Sequence, residues 1–537
     1  MKRFRYQNEN RKLLLHSGNI RTLDPALPSA QAMIIDRDRI SWIGNNEDIV
    51  SIPADEYKLI NLSGKTVMPS FTDSHVHLAH LARSVASLDL DGCKSYAEAL
   101  ARTREFVQTL TKSEWLFGRG WQNDSWSGAR LPHRSDLDKI SPNNPAAIYS
   151  KDDHLIWTNS LGLKIARIDR NTPDPEGGRI IRDGNGEPIG ILAEKAADLL
   201  YRHCKKPSRV RSLAQIEKVV AECHKKGVTA VGNFDDLGNF ELLQEYDSQK
   251  GLKVRVRQYI PVRFLDHLVK LKLKSGFGSQ YLKIAGTKIF ADGALGSQTA
   301  LMFEPYRGRK GHCGIEVSTE AELTSDIKAA ASHGIACAVH AIGDRANHQV
   351  LNAFGKLSQR NLKLRHRIEH VQIIKPDDIP RFAQLGIVAS VQPSHCSADI
   401  DLARRHWGRR SKYAYNFRSL IDSGANLALG SDAPIEKIDP LLGMYSATTR
   451  KSFDGSKRFH PEQRLMIAEA AAGFTVGGAY ALGDECLYGT ITLGKSADIV
   501  IMDSDPFRTK PDELQRIDIS ATFFEGECVY GWDNISA

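Results

Sequence analysis

The sequence predicts an α/β protein, a (β/α)8 barrel joined to a small β domain drawn from both ends of the chain. Two observations carry this. The middle of the 537-residue chain alternates β-like runs with helix-like stretches, and eight such runs can be counted. The two ends share a different texture, short β-like runs separated by turn residues.

At the N-terminal end the runs are Lys12–His16, Ala32–Asp36, Arg39–Gly44 and Lys58–Leu62, with Asp36-Arg37-Asp38 and Ser63-Gly64-Lys65 as turns. At the C-terminal end they are Asp498–Met502 and Ala521–Phe524, with turns at Gly494-Lys495-Ser496 and Glu525-Gly526-Glu527. Residues 1–65 with 483–537 are therefore expected to form one composite domain, and residues 66–482 the barrel. Its strands are expected at Val67–His77, Val228–Phe234, Val254–Pro261, Ile284–Phe290, Ala336–Ala341, His366–Val371, Ile387–Gln392 and Leu427–Ser431. Helix-like segments at Leu213–His224, Ala321–His333 and Ile379–Leu385 fall between consecutive strands. The gap between the first two strands is too long for one helix, so an insertion is placed at about residues 110–205.

Composition excludes several classes. Hydrophobic residues make up 41% and charged residues 25%, which rules out a disordered chain and a collagen-like repeat. The net charge of +8 is mild for this length. The densest basic stretch, Arg404 to Lys412, reads as a solvated helix or loop face. No zinc-finger, RNA-recognition or helix-turn-helix pattern points to nucleic acid. The eight cysteines are scattered without a CxxC pair, as in a reducing compartment. The N-terminal segment lacks the apolar core of a signal peptide, and no apolar window of about 18 residues is present to span a membrane. A cytoplasmic protein is expected.

The chemistry gathers at the ends of the predicted strands. Asp73-Ser74-His75-Val76-His77 closes the first, and alternation along a strand turns His75 and His77 to the same side, into the barrel. Neutral imidazoles are good ligands for zinc and similar metals. An HxH pair alone is weak, but later strand ends carry Lys288, His340, His370 and Asp432. Barrel active sites lie at the C-terminal ends of the strands, so six such residues there point to a metal centre. Each has a plainer reading too. His340 also reads as a core histidine, and Asp432 as a helix N-cap. Lys288 would be costly inside a barrel unless paired or modified. As a carbamate it would bridge two cations; as an ammonium it would leave room for one.

Nine ordered segments then carry a resemblance. They are PSFTDSHVHL (69–78), GRGW (118–121), DDHLIWTNS (152–160), TKIFADGALGSQTA (287–300), VHAIGDRA (339–346), HRIEHVQ (366–372), SVQPSH (390–395), GSDAPI (430–435) and GTITLGKSADIVIMDSDPF (489–507). The chain resembles the amidohydrolase superfamily, and within it the YtcJ-like, amidohydrolase-3 group that includes N-substituted formamide deformylases. The resemblance implies the barrel, a composite β-sandwich from both termini, and metal ligands at His75, His77, Lys288, His340, His370 and Asp432. It implies one or two divalent ions, zinc by preference, and a carbamylated Lys288 where two are held. A metal-activated hydroxide would attack a C–N bond, with Asp432 taking its proton and passing it to the leaving nitrogen. The insertion is expected to shape the substrate pocket. Trp121 and His154 are candidates for lining it, as is Trp157, with packing an equal reading for the two tryptophans. Asp292 reads as a ligand-orienting, substrate-binding or turn residue, and Gln392 and His395 as further substrate contacts.

A small-molecule substrate is expected, without nucleic acid or membrane, and a homodimer fits the size and family. Deamination or cyclic-amide opening on the same site is an alternative. The resemblance disfavours deamination, because the nearest acid after His340 is Asp344 rather than a glutamate. A non-catalytic regulatory protein on the same scaffold is a third reading, against which the full ligand set argues.

Overall fold

The computed structural model describes residues 12–51, 56–122, 126, 131–151, 155–204 and 208–535. The barrel is an eight-stranded sheet of β1 (Phe71–Val76), β2 (Val228–Asn233), β3 (Arg255–Pro261), β4 (Leu282–Phe290), β5 (Ala336–Ala341), β6 (Arg367–His370), β7 (Val388–Val391) and β8 (Leu427–Leu429). Each strand pairs in parallel with the next in sequence. Between β8 and β1 the ring is completed just past the strand ends. Val76 bridges Ala433, Asp432 N–H donates to the His75 carbonyl at 2.7 Å, and His77 N–H donates to the Ala433 carbonyl at 2.8 Å.

Helices separate the strands where the periodicity places them. Arg209–Lys225 precedes β2, Glu320–Ser332 precedes β5 and Ile379–Leu385 precedes β7. Local chemistry sets their ends. Thr319 and Glu322 exchange side-chain and backbone hydrogen bonds in a capping box at the start of Glu320–Ser332. Gly386 stops Ile379–Leu385 in a left-handed conformation at φ +66°.

The first predicted strand, Val67–His77, is two strands. Thr66–Pro69 pairs with Ile499–Met502 and Asn19–Arg21 in a terminal sheet, and only Phe71–Val76 enters the barrel. Pro69 has no N–H to continue a ladder. The next residue, Ser70, turns its N–H to the Asp498 carbonyl at 3.0 Å and its hydroxyl to Thr229 at 2.5 Å.

Thr66–Pro69 belongs to a six-stranded sheet that interleaves both ends of the chain, in the order 527–530, 519–524, 499–502, 66–69, 19–21, 29–30. A four-stranded sheet, 39–44, 32–36, 12–16, 57–61, faces it. Leu15, Met33 and Ile35 of one sheet share a buried core with Val67, Ile501 and Phe523 of the other, which makes the pair a sandwich. The shortest strands, Asn19–Arg21 and Ser29–Ala30, carry too few residues to show a period.

The chain forms two compact units, one reaching Leu81 and resuming at Val219, the other Ala82–Lys218. The second unit holds a six-stranded mixed sheet in the order 178–182, 188–194, 155–157, 146–150, 116–121, 88–89. That sheet starts at Leu88, ahead of residue 110, because a two-residue edge strand leaves no pattern in the sequence. All eight cysteines are free thiols. No helix among the described residues is long and apolar enough to cross a membrane.

Candidate metal centre

The seam between β1 and β8 supplies the first candidate ligands. Asp73 is buried in β1, and its Oδ1 accepts the backbone N–H of His75 at 3.2 Å and of Ser431 at 2.9 Å. This ties the His75-Val76-His77 segment to the chain that carries Asp432. A Cβ at Gly430 would stand 2.7 Å from the His75 nitrogen, so only glycine lets the two segments approach so closely. Asp432 itself takes a left-handed backbone, φ +60°. Its Oδ1 lies 3.3 Å from His77 Nε2 and 3.6 Å from His75 Nε2, and its Oδ2 lies 3.7 Å from His395 Nε2.

His370 enters from β6. Strand alternation would send Glu369 and His370 to opposite faces. The backbone is left-handed at both His370 (φ +75°) and Val371 (φ +45°), and the two side chains serve the same interior. Glu369 meets His75, while the His370 ring lies 5.0 Å from the His75 ring and 4.5 Å from the His340 ring. Two donor triads converge on the shared carboxylate, His75/His77/Asp432 and His370/His395/Asp432, each with its ligand atoms within 4.8 Å of one another.

An acceptor fixes the proton of each inner imidazole. His75 Nδ1 donates to Glu369 Oε2 at 2.6 Å, His370 Nδ1 to Gln392 Oε1 at 2.8 Å, and His340 Nε2 to the Gly293 carbonyl at 3.0 Å. The other nitrogen of each ring is left with its lone pair, the arrangement that metal-ligating histidines use. Glu369 is held in turn by Arg367, which donates to its two oxygens at 2.5 and 3.0 Å.

Electrostatics agree. Burial, then the charge of Lys288, pushes His75 down to about 4 and His340 down to about 3, and burial holds His370 well below its ordinary value. All three are neutral at pH 7. Burial alone would raise Asp432, but the imidazoles around it hold its carboxyl well below the usual carboxylate range. Lys288 is buried, which brings it down to about 8 against the pull of Glu369 and Asp432. Its Nζ stands 4.5 Å from the centre of the Phe234 ring, the same ring that stacks on His75 at 4.0 Å. Neutral imidazoles aimed at an anionic carboxylate fit a divalent cation, and the buried His395 Nε2 has no hydrogen-bond partner.

The amidohydrolase family model matches residues 58–530, most of the chain. The chain belongs to the amidohydrolase family. This amidohydrolase is 35% identical to the protein LONG AFTER FAR-RED 3 of Arabidopsis thaliana, over 96% of this chain and 91% of that one. It is 33% identical to YtcJ of Bacillus subtilis, over 97% of this chain and 99% of that one. With the N-substituted formamide deformylase of Arthrobacter pascens it shares 27% identity, over 97% and 98% of the two chains. Among solved structures, a metal-dependent hydrolase from Pyrococcus furiosus is similar at a TM-score of 0.76 and 29% identity, covering 93% of this chain and 100% of that one.

The amidohydrolase thus gathers His75, His77, His340, His370 and Asp432 in one place, with Lys288 on the Phe234 wall of the same interior. Asp292 and Gln392 each make contacts within the protein at this interior. Asp292 is a buried staple whose carboxylate accepts the N–H groups of Leu301, Ile342 and Gly343, with His340 Nε2 at 3.6 Å. Burial raises it to about 7. Gln392 orients His370 through its carbonyl oxygen. Trp121 is a correction. It is fully buried in the core of the 82–218 unit, packed with Leu116, Ile148 and Trp157, and its indole N–H donates to the Ile148 carbonyl at 2.8 Å. Packing is its role there, and Trp157 shares it. His154 lies outside the described residues.

Sequence reasoning missed Glu369 and Arg367. Their signal was present in the run His366-Arg367-Ile368-Glu369-His370, where two opposite charges stand at alternate positions of a strand whose neighbours are all buried.

Proposed function

We propose that this amidohydrolase hydrolyses the C–N bond of a small N-formyl or N-acyl compound, with Asp432 as the acid/base. The observation that carries the reading is the double use of Asp432. One oxygen faces His75 and His77 and the other faces His395, and the group is held anionic in a buried site. His75, His77, His340, His370 and Asp432 would hold the metal, and imidazole and carboxylate donors of this kind suit zinc. A divalent cation there lowers the pKa of a water to about 7 and polarises a carbonyl. Asp432 accepts the proton of the attacking water and delivers it to the leaving nitrogen, so that no charge is stranded on the amine. Glu369 and Gln392 keep His75 and His370 in the tautomers that face inward. His395, at the second oxygen of Asp432, supplies a polar contact for the substrate.

Lys288 completes this reading as a carbamate. Its amine, brought down to about 8, is in part unprotonated near neutral pH. It could add to the carbon of carbon dioxide with release of one proton, and the resulting anion would supply an oxygen ligand for a second ion. The 27% identity to an N-substituted formamide deformylase supports starting with N-formyl amines.

The test is an amine-release assay on N-formyl and N-acyl amines, run beside elemental analysis of wild type and Lys288→Ala. Hydrolysis that is lost in Asp432→Asn supports the reading, and two metals falling to one or none in Lys288→Ala supports the bridge. A metal-loaded protein inert on every amide offered would sink the amide reading. A protein that holds no metal after reconstitution would leave a non-catalytic scaffold.

A further inference from the structure

We propose a second cation site beside the inner centre, formed by His77, His80 and Asp235. Their ligand atoms lie within 4.8 Å of one another, and neither His80 nor Asp235 belongs to the triads around Asp432. The fold brings them together for simple reasons. His77 follows β1, and His80 is three residues further on, in the helix Leu78–Val85, where such spacing shares a face. Asp235 follows β2, the parallel neighbour of β1.

Asp235 makes the cluster more than a surface coincidence. Its side chain is 0% exposed, yet among the described residues no lysine or arginine pairs with it. Its oxygens receive the Ala79 N–H at 2.6 Å and the Asn239 amide at 3.5 Å, and Oδ1 stands 3.9 Å from His80 Nδ1. A buried carboxylate without a cation is costly. His80 closes the site from outside. Its side chain is 51% exposed, so an ion can arrive from solvent with part of its water shell while Asp235 holds it from within. The rings of His77 and His80 lie 5.7 Å apart and 22° from parallel.

Two imidazoles and one carboxylate select a borderline divalent ion, zinc, cobalt or nickel, over magnesium or calcium. The site shares His77 with the inner centre, where His77 Nε2 stands 3.3 Å from Asp432. An outer ion therefore draws on a ligand of the inner one, and excess metal loosens the centre that lower metal fills. The proposal depends on the inner metal reading only through that shared residue.

Zinc titration of the full chain, followed by calorimetry and elemental analysis, tests it with wild type, His80→Ala and Asp432→Asn. Wild type is expected to bind one zinc ion more than His80→Ala, with affinity for that ion lower than for the inner centre. Asp432→Asn is expected to keep the His80-dependent ion while the inner affinity falls. Equal stoichiometry and affinity in wild type and His80→Ala would overturn the proposal. Loss of the His80-dependent ion in Asp432→Asn would also overturn it, because one site would then account for both. An inner centre that binds nothing shows separately, as wild type and Asp432→Asn holding the same single ion. Because His80 is half exposed, its replacement leaves the fold intact, which a thermal melt verifies.

Discussion

Two buried polar networks sit at opposite purposes in this molecule. Where the barrel meets the terminal sheets, Arg255 pairs with Asp498 and with Glu525 (2.8 Å), while Arg257 and Lys283 (3.1 Å) both meet Asp484. Every charge there faces its opposite. In the inner centre, Glu369 is answered by Arg367, but His75, His340 and His370 turn lone pairs inward and His395 Nε2 has no partner. Mutual satisfaction of buried charges marks a joint of the fold. Convergent lone pairs around one carboxylate mark a binding site, since only a cation answers all of them.

Substitutions separate the two. Asp432→Asn should cut hydrolysis by about 10³-fold with the melting temperature nearly unchanged, as read by kcat and calorimetry on one preparation. If activity survives, the centre is not where the chemistry occurs. Arg255→Ala should act in reverse. It leaves Asp498 buried without its cation, at a cost of about 4 kcal/mol by urea unfolding, while the folded fraction keeps its metal content.

A pH series sharpens the contrast. His366, at the foot of β6, is buried and donates Nε2–H to the Asn361 carbonyl while its Nδ1 accepts the Cys337 N–H. Burial lowers it to about 4. Its folded value lies below the unfolded one, so the unfolded chain binds the extra proton in acid. The stability from neutral His366 is full above about pH 6.5 and is lost as pH falls toward 4, on the order of 3 kcal/mol in all. Urea melts from pH 7 to 4 should show that slope, and His366→Gln should flatten it. The smallest effect belongs to Glu369→Gln. An amide still accepts from His75 but carries no charge, so metal affinity should drop about 10- to 100-fold in a competition titration with a chromophoric chelator. An unchanged affinity would make the Arg367–Glu369 pair a joint of the fold like the other network.

Much of this was legible in the sequence, for definable reasons. His75 and His77 were readable because a strand has a period of two and both stand on one face. Asp432 and His340 were readable because they close apolar runs. Glu369 was hidden by the same rule that revealed the HxH pair, since alternation would not place two neighbours in one interior, and the left-handed turn at His370 overrides it. The basic stretch near residue 404 looked like a solvated face. It is one, with Arg404, Arg405, Arg409 and Lys412 exposed, and it is anchored as well: Arg404 donates to the Arg458 carbonyl at 2.6 Å, and Arg410 to the carbonyls of Glu304 (2.8 Å) and Pro305 (2.6 Å). Long-range backbone acceptors of that kind leave no trace in local composition. Trp121 belonged to a family-like segment, and only its burial separates packing from a pocket wall.

The break at Ser70 has a consequence for how the protein is made. Thr66–Pro69 cannot be paired until Ile499–Met502 exists, and Asp73 cannot reach Ser431 until 358 further residues have been synthesised. His75 and His77 leave the ribosome well before the partners that hold them in place, Glu369 being 294 residues further on. Contacts so distant in sequence form slowly. A chain stalled before β8 would carry the histidine pair without Asp432, the carboxylate that both inner triads share.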